Sequence, residues 1–389
     1  MTGRMEPILP EMTPGLRELT YELTEKASAF AGNMNPLLRQ ALGDLVRSMN
    51  CYYSNLIEGH DTHLIDIERA LRDDYSHEPE KRDLQLEARA HIEVQRLIDL
   101  GEMPYPALSE EGIRWLHGEF YEHVPDALKE IEFHGRIVRI EPGEYRRRQV
   151  QVGRHIAPPA RDLPNLMFRF VDAYSSPMLE RGHRIVAVGA SHHRLGWIHP
   201  FLDGNGRVGR LMSHAYLREL GIGSELWSVS RGLARSVGEY KALLQAADEP
   251  RRGDRDGRGS LTQSGLTDFC VFFLETCIDQ VEFMAGLLET KELLGRVEVW
   301  TKEETLAGRL PKGAWPLLRE ALVFGEFERG SAPGLTGYKD RQARTVLSDL
   351  LEKGLLTSES SRDKVRIAFP SSVVERWFPG LYRPASSVL

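Results

Sequence analysis

Cysteine is scarce in this chain: three among 389 residues, Cys51, Cys270 and Cys277. They form neither a disulfide set nor a metal-binding spacing, which suits a reducing compartment, and a cytoplasmic protein is expected. No apolar run has the length of a membrane span. The opening Met-Thr-Gly-Arg-Met-Glu lacks the apolar stretch of a secretory signal, so no membrane partner is expected. Neither sign of charge dominates; a net charge of −7 argues against wholesale nucleic-acid binding while leaving room for a local basic patch. The phosphate-binding pattern G-x-x-x-x-G-K-[ST] is missing. His183, His192, His193 and His214 follow no zinc-ligand spacing, so packing or polar-face roles are expected of them. With 41% hydrophobic and 28% charged residues the chain has the composition of a folded globular protein, and its length suffices for two or three domains.

What is present concentrates in twelve residues, His199-Pro-Phe-Leu-Asp-Gly-Asn-Gly-Arg-Val-Gly-Arg210. Gly204 and Gly206 permit a tight turn whose amides an anion can approach closely. A helix is predicted next, because Val208, Leu211, Met212 and Ala215 keep the spacing of a buried stripe. Its free N–H groups and positive dipole end point at the same turn. Arg207 and Arg210, three apart, lie together on its first turn. Two arginines there are unfavourable by about 0.3–1 kcal/mol per charge unless an anion sits opposite. A solvated surface turn would account for any one of these features; their conjunction points to a bound phosphate. His199 adds a titratable base, an imidazole that changes charge near neutrality, to the same loop.

The stretch resembles the signature of the Fic family, H-P-F-x-[D/E]-G-N-G-R-x-x-R, at every specified position. The resemblance implies a protein adenylyltransferase that moves AMP from ATP to a Ser, Thr or Tyr hydroxyl of a protein target, self-modification included. It implies His199 as general base, Asp203 as Mg²⁺ ligand, Gly204, Asn205 and Gly206 as anion cradle, and Arg207 and Arg210 as phosphate clamps. It also implies a contact of Tyr240 with the adenine or ribose; on residue pattern alone, a tyrosine on the half-buried helix over 231–247 reads equally as core.

Upstream, Leu37, Leu38, Ala41, Leu42, Leu45, Val46, Met49, Tyr52, Tyr53 and Leu56 predict a long amphipathic helix over 36–58, stopped at Gly59. Its last turn presents Ser54 and Glu58 on one face. A glutamate at a helix C-terminus faces the negative dipole end and calls for a cation opposite. Ser54-Asn-Leu-Ile-Glu58-Gly59 resembles the family's inhibitory motif, [S/T]-x-x-x-E-[G/N]. The resemblance implies that Glu58 pairs with Arg210 and occupies the guanidinium meant for the ATP γ-phosphate. In some relatives the same glutamate supports AMP removal.

A β-hairpin is predicted from Arg136 to Ile156, with Glu141-Pro142-Gly143-Glu144 as its turn. By resemblance it is a flap whose Gln149, Val150, Gln151 and Val152 dock the target's backbone by strand addition. Arg146-Arg147-Arg148 favours an acidic target or is simply solvated. Asp248 to Ser260 reads as a mobile charged loop, and a strongly apolar helix follows over 266–288. Near the C-terminus, Ala343, Val346, Leu347, Leu350 and Leu351 make a helical stripe that Gly354 ends. Leu355-Leu356-Thr357 and Val365 to Phe369 flank a polar turn. Helix then two-stranded wing resembles a winged helix-turn-helix, and the mildly basic charge of 291–389 leaves DNA and protein contact both open.

The expected fold is mainly α: a Fic-type helical core with a β-hairpin flap, followed by a small winged helix-turn-helix domain. The expected parts are an N-terminal helical region 1–105 with the inhibitory helix, a catalytic core 106–290 and a winged-helix domain 291–389. A homodimer is compatible with this reading. Two alternatives remain: a Fic-fold enzyme that transfers another phosphorylated group or removes AMP, and a nucleotide-sensing DNA-binding regulator.

Overall fold

A computed structural model describes residues 5–31, 35–133 and 135–382. The distal ends of the two outer expected regions lie outside the described residues. The chain divides into two compact units: residues 1–29 with 50–281, and residues 30–49 with 282–389.

The first unit is helical with two short hairpins. In chain order its elements are α1 (Pro14–Ala31), α2 (Pro36–Glu58), α3 (Leu64–Leu71), α4 (Pro79–Leu100), α5 (Glu110–Glu122), β1 (Glu130–Phe133), β2 (Arg136–Arg139), β3 (Gln151–Val152), β4 (His155–Ile156), α6 (Leu163–Tyr174), α7 (Arg181–Ile198), α8 (Asn205–Glu219), α9 (Val229–Arg235), α10 (Val237–Asp248) and α11 (Gln263–Leu287). The first part of α2 and the ends of α1 and α11 are counted with the second unit. Helix α7 packs on α8, and α4, α5 and α9 also pack on α8.

That arrangement makes α8 the buried axis of the unit. Besides the expected apolar stripe, Arg207, Arg210, Ser213 and His214 are buried. The sequence separates a polar face from an apolar one, but both are inside. Each polar side chain therefore takes a partner from a neighbouring helix, since an unpaired buried polar group costs several kcal/mol. His214 Nε2 meets Asp99 Oδ1 at 2.8 Å, and His192 Nδ1 meets Ser213 Oγ at 2.8 Å.

Helix starts and stops follow local chemistry. Ser109 caps α5 by accepting from the Gly112 N–H at 2.9 Å, and Glu110 and Glu111 complement the dipole in the first turn. Pro79 opens α4 and Gly101, with φ +73°, closes it.

A hairpin stands where the flap was expected, but its strands differ from the predicted pair. Arg136–Arg139 pairs back on Glu130–Phe133, and Gln151–Val152 pairs with His155–Ile156. The reason lies in the turn residues between them. The Gly143 N–H donates to His117 Nδ1 at 2.9 Å, and Arg114 donates to the Gly143 carbonyl at 2.8 Å. The Glu141–Glu144 turn is thus fastened to α5 and does not return one strand onto the other. The charged loop after α10 is likewise fastened: Asp256 accepts from the Arg252 and Ser264 N–H groups, both at 2.9 Å.

The second unit carries α12 (Thr290–Leu306), α13 (Ala314–Phe324), β5 (Glu326–Phe327), α14 (Ala332–Thr336), α15 (Asp340–Glu352), β6 (Leu356–Thr357), β7 (Val365–Ile367) and α16 (Ser371–Trp377). Its strands form an antiparallel sheet in the order β5-β7-β6, with Leu356 opposite Ile367. Ala343, Val346, Leu347 and Leu350 of α15 are buried, as their periodicity predicts. No helix among the described residues is long and apolar enough to cross a membrane.

Candidate active site

The loop between α7 and α8 is shaped by its own side chains. Asn205 Nδ2 donates to the Phe201 carbonyl at 3.0 Å, and the Phe201 N–H donates to Asn205 Oδ1 at 2.9 Å. This reciprocal pair closes the loop across four residues. The Phe201 ring is fully buried and stacks on His117 with centroids 3.9 Å apart. Gly204 takes φ +76° as the N-cap of α8, a conformation that disfavours any side chain.

His199 follows α7 directly with φ +50° and ψ 62°. Burial pushes its imidazole down to about 4, a carbonyl contact at Gly196 opposing this and the Arg146 charge adding to it. The ring is therefore neutral at physiological pH, which is the form a general base requires.

Across the loop stands the end of α2. Arg210 Nη2 donates to Glu58 Oε1 at 2.6 Å, and Arg210 Nε donates to Ser54 Oγ at 2.9 Å. Arg210 Nη2 also reaches the Ser54 carbonyl at 3.2 Å. One guanidinium is held at three acceptors on a single helical face, the face that carries Ser54 and Glu58. Burial raises the Glu58 carboxyl, but the Arg210 charge and hydrogen bond outweigh it and hold the group below its ordinary value. The same carboxylate lies over the start of α8: a β-carbon on Gly206 would come within 2.4 Å of Glu58 Oε1. Gly206 thus leaves open the space that an acidic group occupies.

These groups line a cavity of about 520 Å³. Its walls are Glu58 of α2, His199, Gly206 and Arg210 of the loop and α8, Val152 and His155 of the second hairpin, and Tyr240, Leu244 and Asp248 of α10. Tyr240 is buried and its hydroxyl lies 2.7 Å from His192 Nε2. Ser213 gives its proton to the Gly209 carbonyl at 2.8 Å, so His192 Nδ1–H donates to Ser213 and Nε2 accepts from Tyr240. The tyrosine ring is thereby fixed at the cavity wall.

Other expected site residues stand elsewhere. Arg207 does not line the cavity. It is buried, donates to Glu87 Oε2 at 3.2 Å and lies over the Phe120 ring at 5.1 Å. Asp203 is exposed on the loop, and its Oδ2 accepts from the Tyr121 hydroxyl at 2.7 Å. The Asn205 side chain is spent on the loop itself. On the hairpin, Val150 is buried and accepts from the Ala157 N–H at 3.2 Å, while Gln149, Gln151 and Val152 are exposed. Arg146 is neither solvated nor turned outward; it is buried against backbone carbonyls, whereas Arg147 and Arg148 are exposed.

Glu87 and Tyr121 stand in no spacing that announces them, and neither the polar-face expectation for His192 nor the arginine run holding Arg146 reveals their partners. Each of the four meets a distant segment. No group of three or more His, Cys, Asp or Glu suited to a metal ion occurs among the described residues.

Residues 107–217 match the Fic/DOC family. Over 114 residues the chain is 36% identical to "Protein adenylyltransferase Fic" of Drosophila willistoni, covering 28% of this chain and 23% of that protein. The protein of the same name from Drosophila melanogaster matches at 36% over 114 residues, with the same coverage. The chain thus spans under a quarter of the length of these curated relatives. A Fic family protein from Desulfovibrio desulfuricans G20 superposes with a TM-score of 0.53 at 20% identity, over 92% of this chain and 97% of that one. Fic-1 (residues 134–508) from C. elegans superposes at 0.53 with 16% identity, over 71% of this chain and 73% of that one. At such identities the structural likeness shows a shared fold.

Proposed function

From the Fic domain that residues 107–217 form, we propose that the protein is an adenylyltransferase that moves AMP from ATP to a protein hydroxyl. The observation that carries this reading is one cavity bounded by a neutral imidazole, a glycine-floored helix N-terminus and a guanidinium. In it His199 takes the proton of a Ser, Thr or Tyr hydroxyl as the oxygen attacks the α-phosphate, and pyrophosphate leaves. The amides at the start of α8 and Arg210 carry the negative charge that the phosphates bring. Arg207, turned to Glu87, adds charge behind this cradle rather than a direct hydrogen bond. Asp203 suits the Mg²⁺ of a Mg-ATP substrate: it is one exposed carboxylate with one oxygen steadied by Tyr121. That ion would neutralise phosphate charge. Tyr240 and Leu244 offer a wall for the adenine and ribose.

The reading includes self-inhibition. Glu58 takes up Arg210 and overlies Gly206, so a bound ATP could not set its γ-phosphate in the cradle until α2 releases it. The exposed edge of the Gln151–Ile156 hairpin suits backbone pairing with a target, and Val152 and Ile156, 50% and 67% exposed, offer it apolar contacts. For the C-terminal unit, the order α13-β5-α14-α15-β6-β7 supports a winged helix-turn-helix. Arg341 and Arg344 lie exposed on α15 and would meet DNA or a protein partner.

The test uses ATP labelled separately at the α- and γ-phosphates, with Glu58→Gly in a cell lysate. Label from the α position alone on protein supports AMP transfer. Label from the γ position assigns phosphate transfer instead, and none from either position refutes group transfer from ATP.

A further inference from the structure

One buried guanidinium joins the hairpin segment to the end of α7. Arg146 is 4% exposed, and no carboxylate pairs with it among the described residues. Its partners are all backbone carbonyls. Nε donates to His199 at 2.7 Å, Nη1 to Arg148 at 2.8 Å, and Nη2 to Pro158 at 2.6 Å and Ile198 at 3.3 Å. Its own N–H donates to the Pro200 carbonyl at 2.9 Å.

Three of these five acceptors, Ile198, His199 and Pro200, are consecutive. They lie where α7 ends and its last carbonyls lose their intrahelical donors, and where a positive charge is favoured by the dipole. His199 there holds a left-handed backbone conformation, φ +50°, which a residue with a β-carbon avoids unless its surroundings impose it. The side chain leaves the backbone at an angle set by that conformation. The remaining two acceptors, Arg148 and Pro158, flank the strands of the second hairpin. A single planar fork therefore fixes the imidazole's backbone and the root of the hairpin relative to each other.

We propose that Arg146 is the positioning residue of this site, holding His199 in its left-handed turn so that the imidazole faces the cavity. The assignment rests on the reading of His199 as the base. Burial lowers the guanidinium to about 10, and it stays charged at neutral pH. Lysine keeps the charge but not the planar fork, so one ammonium cannot satisfy carbonyls on both segments.

The variant Arg146→Lys is made in the Glu58→Gly chain, and AMP transfer and ATP binding are measured on the folded protein. Binding is expected to stay within about 3-fold, because no donor of Arg146 faces the cradle. The transfer rate is expected to fall about 100-fold, the scale on which a misplaced catalytic group costs rate. The His199 ring, followed by NMR, is expected to titrate well below 6.5 in the parent and to move towards 6.5 in Arg146→Lys, as the ring loses its enclosure. An unchanged rate per folded molecule, or an unchanged ring titration, overturns the assignment, as does parallel loss of binding and rate. Should the variant not fold, the parent decides: resolved, slowly exchanging Arg146 Nη protons support the fork, and freely averaged ones refute it. A Glu58→Gly parent that transfers no AMP refutes the transfer reading, while the NMR arms still judge Arg146.

Discussion

A β-carbon at Gly206 would stand 2.4 Å from Glu58 Oε1 and 3.1 Å from Arg210 Nη1. A methyl group there competes with any anion at this place, the Glu58 carboxylate and a phosphate alike. Gly206→Ala is therefore expected to remain inactive when combined with Glu58→Gly, with ATP affinity reduced at least ~10-fold, about the 1.4 kcal/mol of one lost contact. Calorimetric ATP titration of the double variant checks this; wild-type-like affinity would show that the cradle lies elsewhere. The Glu58 pair also has a sign in pH. Its folded carboxyl lies below the ordinary value, so its stabilisation is present above the unfolded value and is lost only as pH falls through the lowered one. Self-inhibition is accordingly expected to be constant between pH 6 and 8, measured as the ratio of transfer rates of Glu58→Gly and wild type. A ratio that collapses within that window would contradict the pair as the lock.

At the scale of elements, the loop and α8 work as one piece because Asn205 binds both backbone groups of Phe201. Asn205→Ala leaves a buried N–H and a buried carbonyl unpaired, at about 1–3 kcal/mol each. Its urea midpoint is expected to fall, and its transfer rate with it in the Glu58→Gly chain; a variant with unchanged midpoint and rate would remove this role. The motif was legible because its residues are contiguous and its helix keeps a clear period. The meeting of Glu58 with Arg210 was legible only through the resemblance, since 152 residues separate them. The hairpin was misread because strand propensity in Arg136–Ile140 does not reveal that Gly143 is anchored by His117. Arg146 was hidden in a run of three arginines, where composition gives no hint which one is buried. Glu87 and Tyr121 lie on amphipathic helices whose pattern describes burial, not the pairings made inside.

For the whole first unit, burial of neutral histidines sets the response to acid. Burial lowers His91 and His192 to about 3, and His117 and His199 to about 4. Their unfolded forms take up protons near 6.5, so the unfolded chain binds more protons over the interval below it. The stability from keeping these rings neutral is present above 6.5 and is lost as pH falls towards 4. The urea midpoint is expected to drop between pH 7 and pH 5; equal midpoints would contradict the burial of these rings. The second unit is tested by duplex DNA: affinity that Arg341→Ala with Arg344→Ala removes supports DNA contact, and none in the parent refutes it.

Mass spectrometry of the purified chain after incubation with Mg-ATP tests the central claim most directly. Glu58→Gly is expected to gain the mass of an AMP moiety, wild type far less, and Glu58→Gly with His199→Ala none. No adduct on Glu58→Gly, or an adduct that persists without His199, would contradict the account.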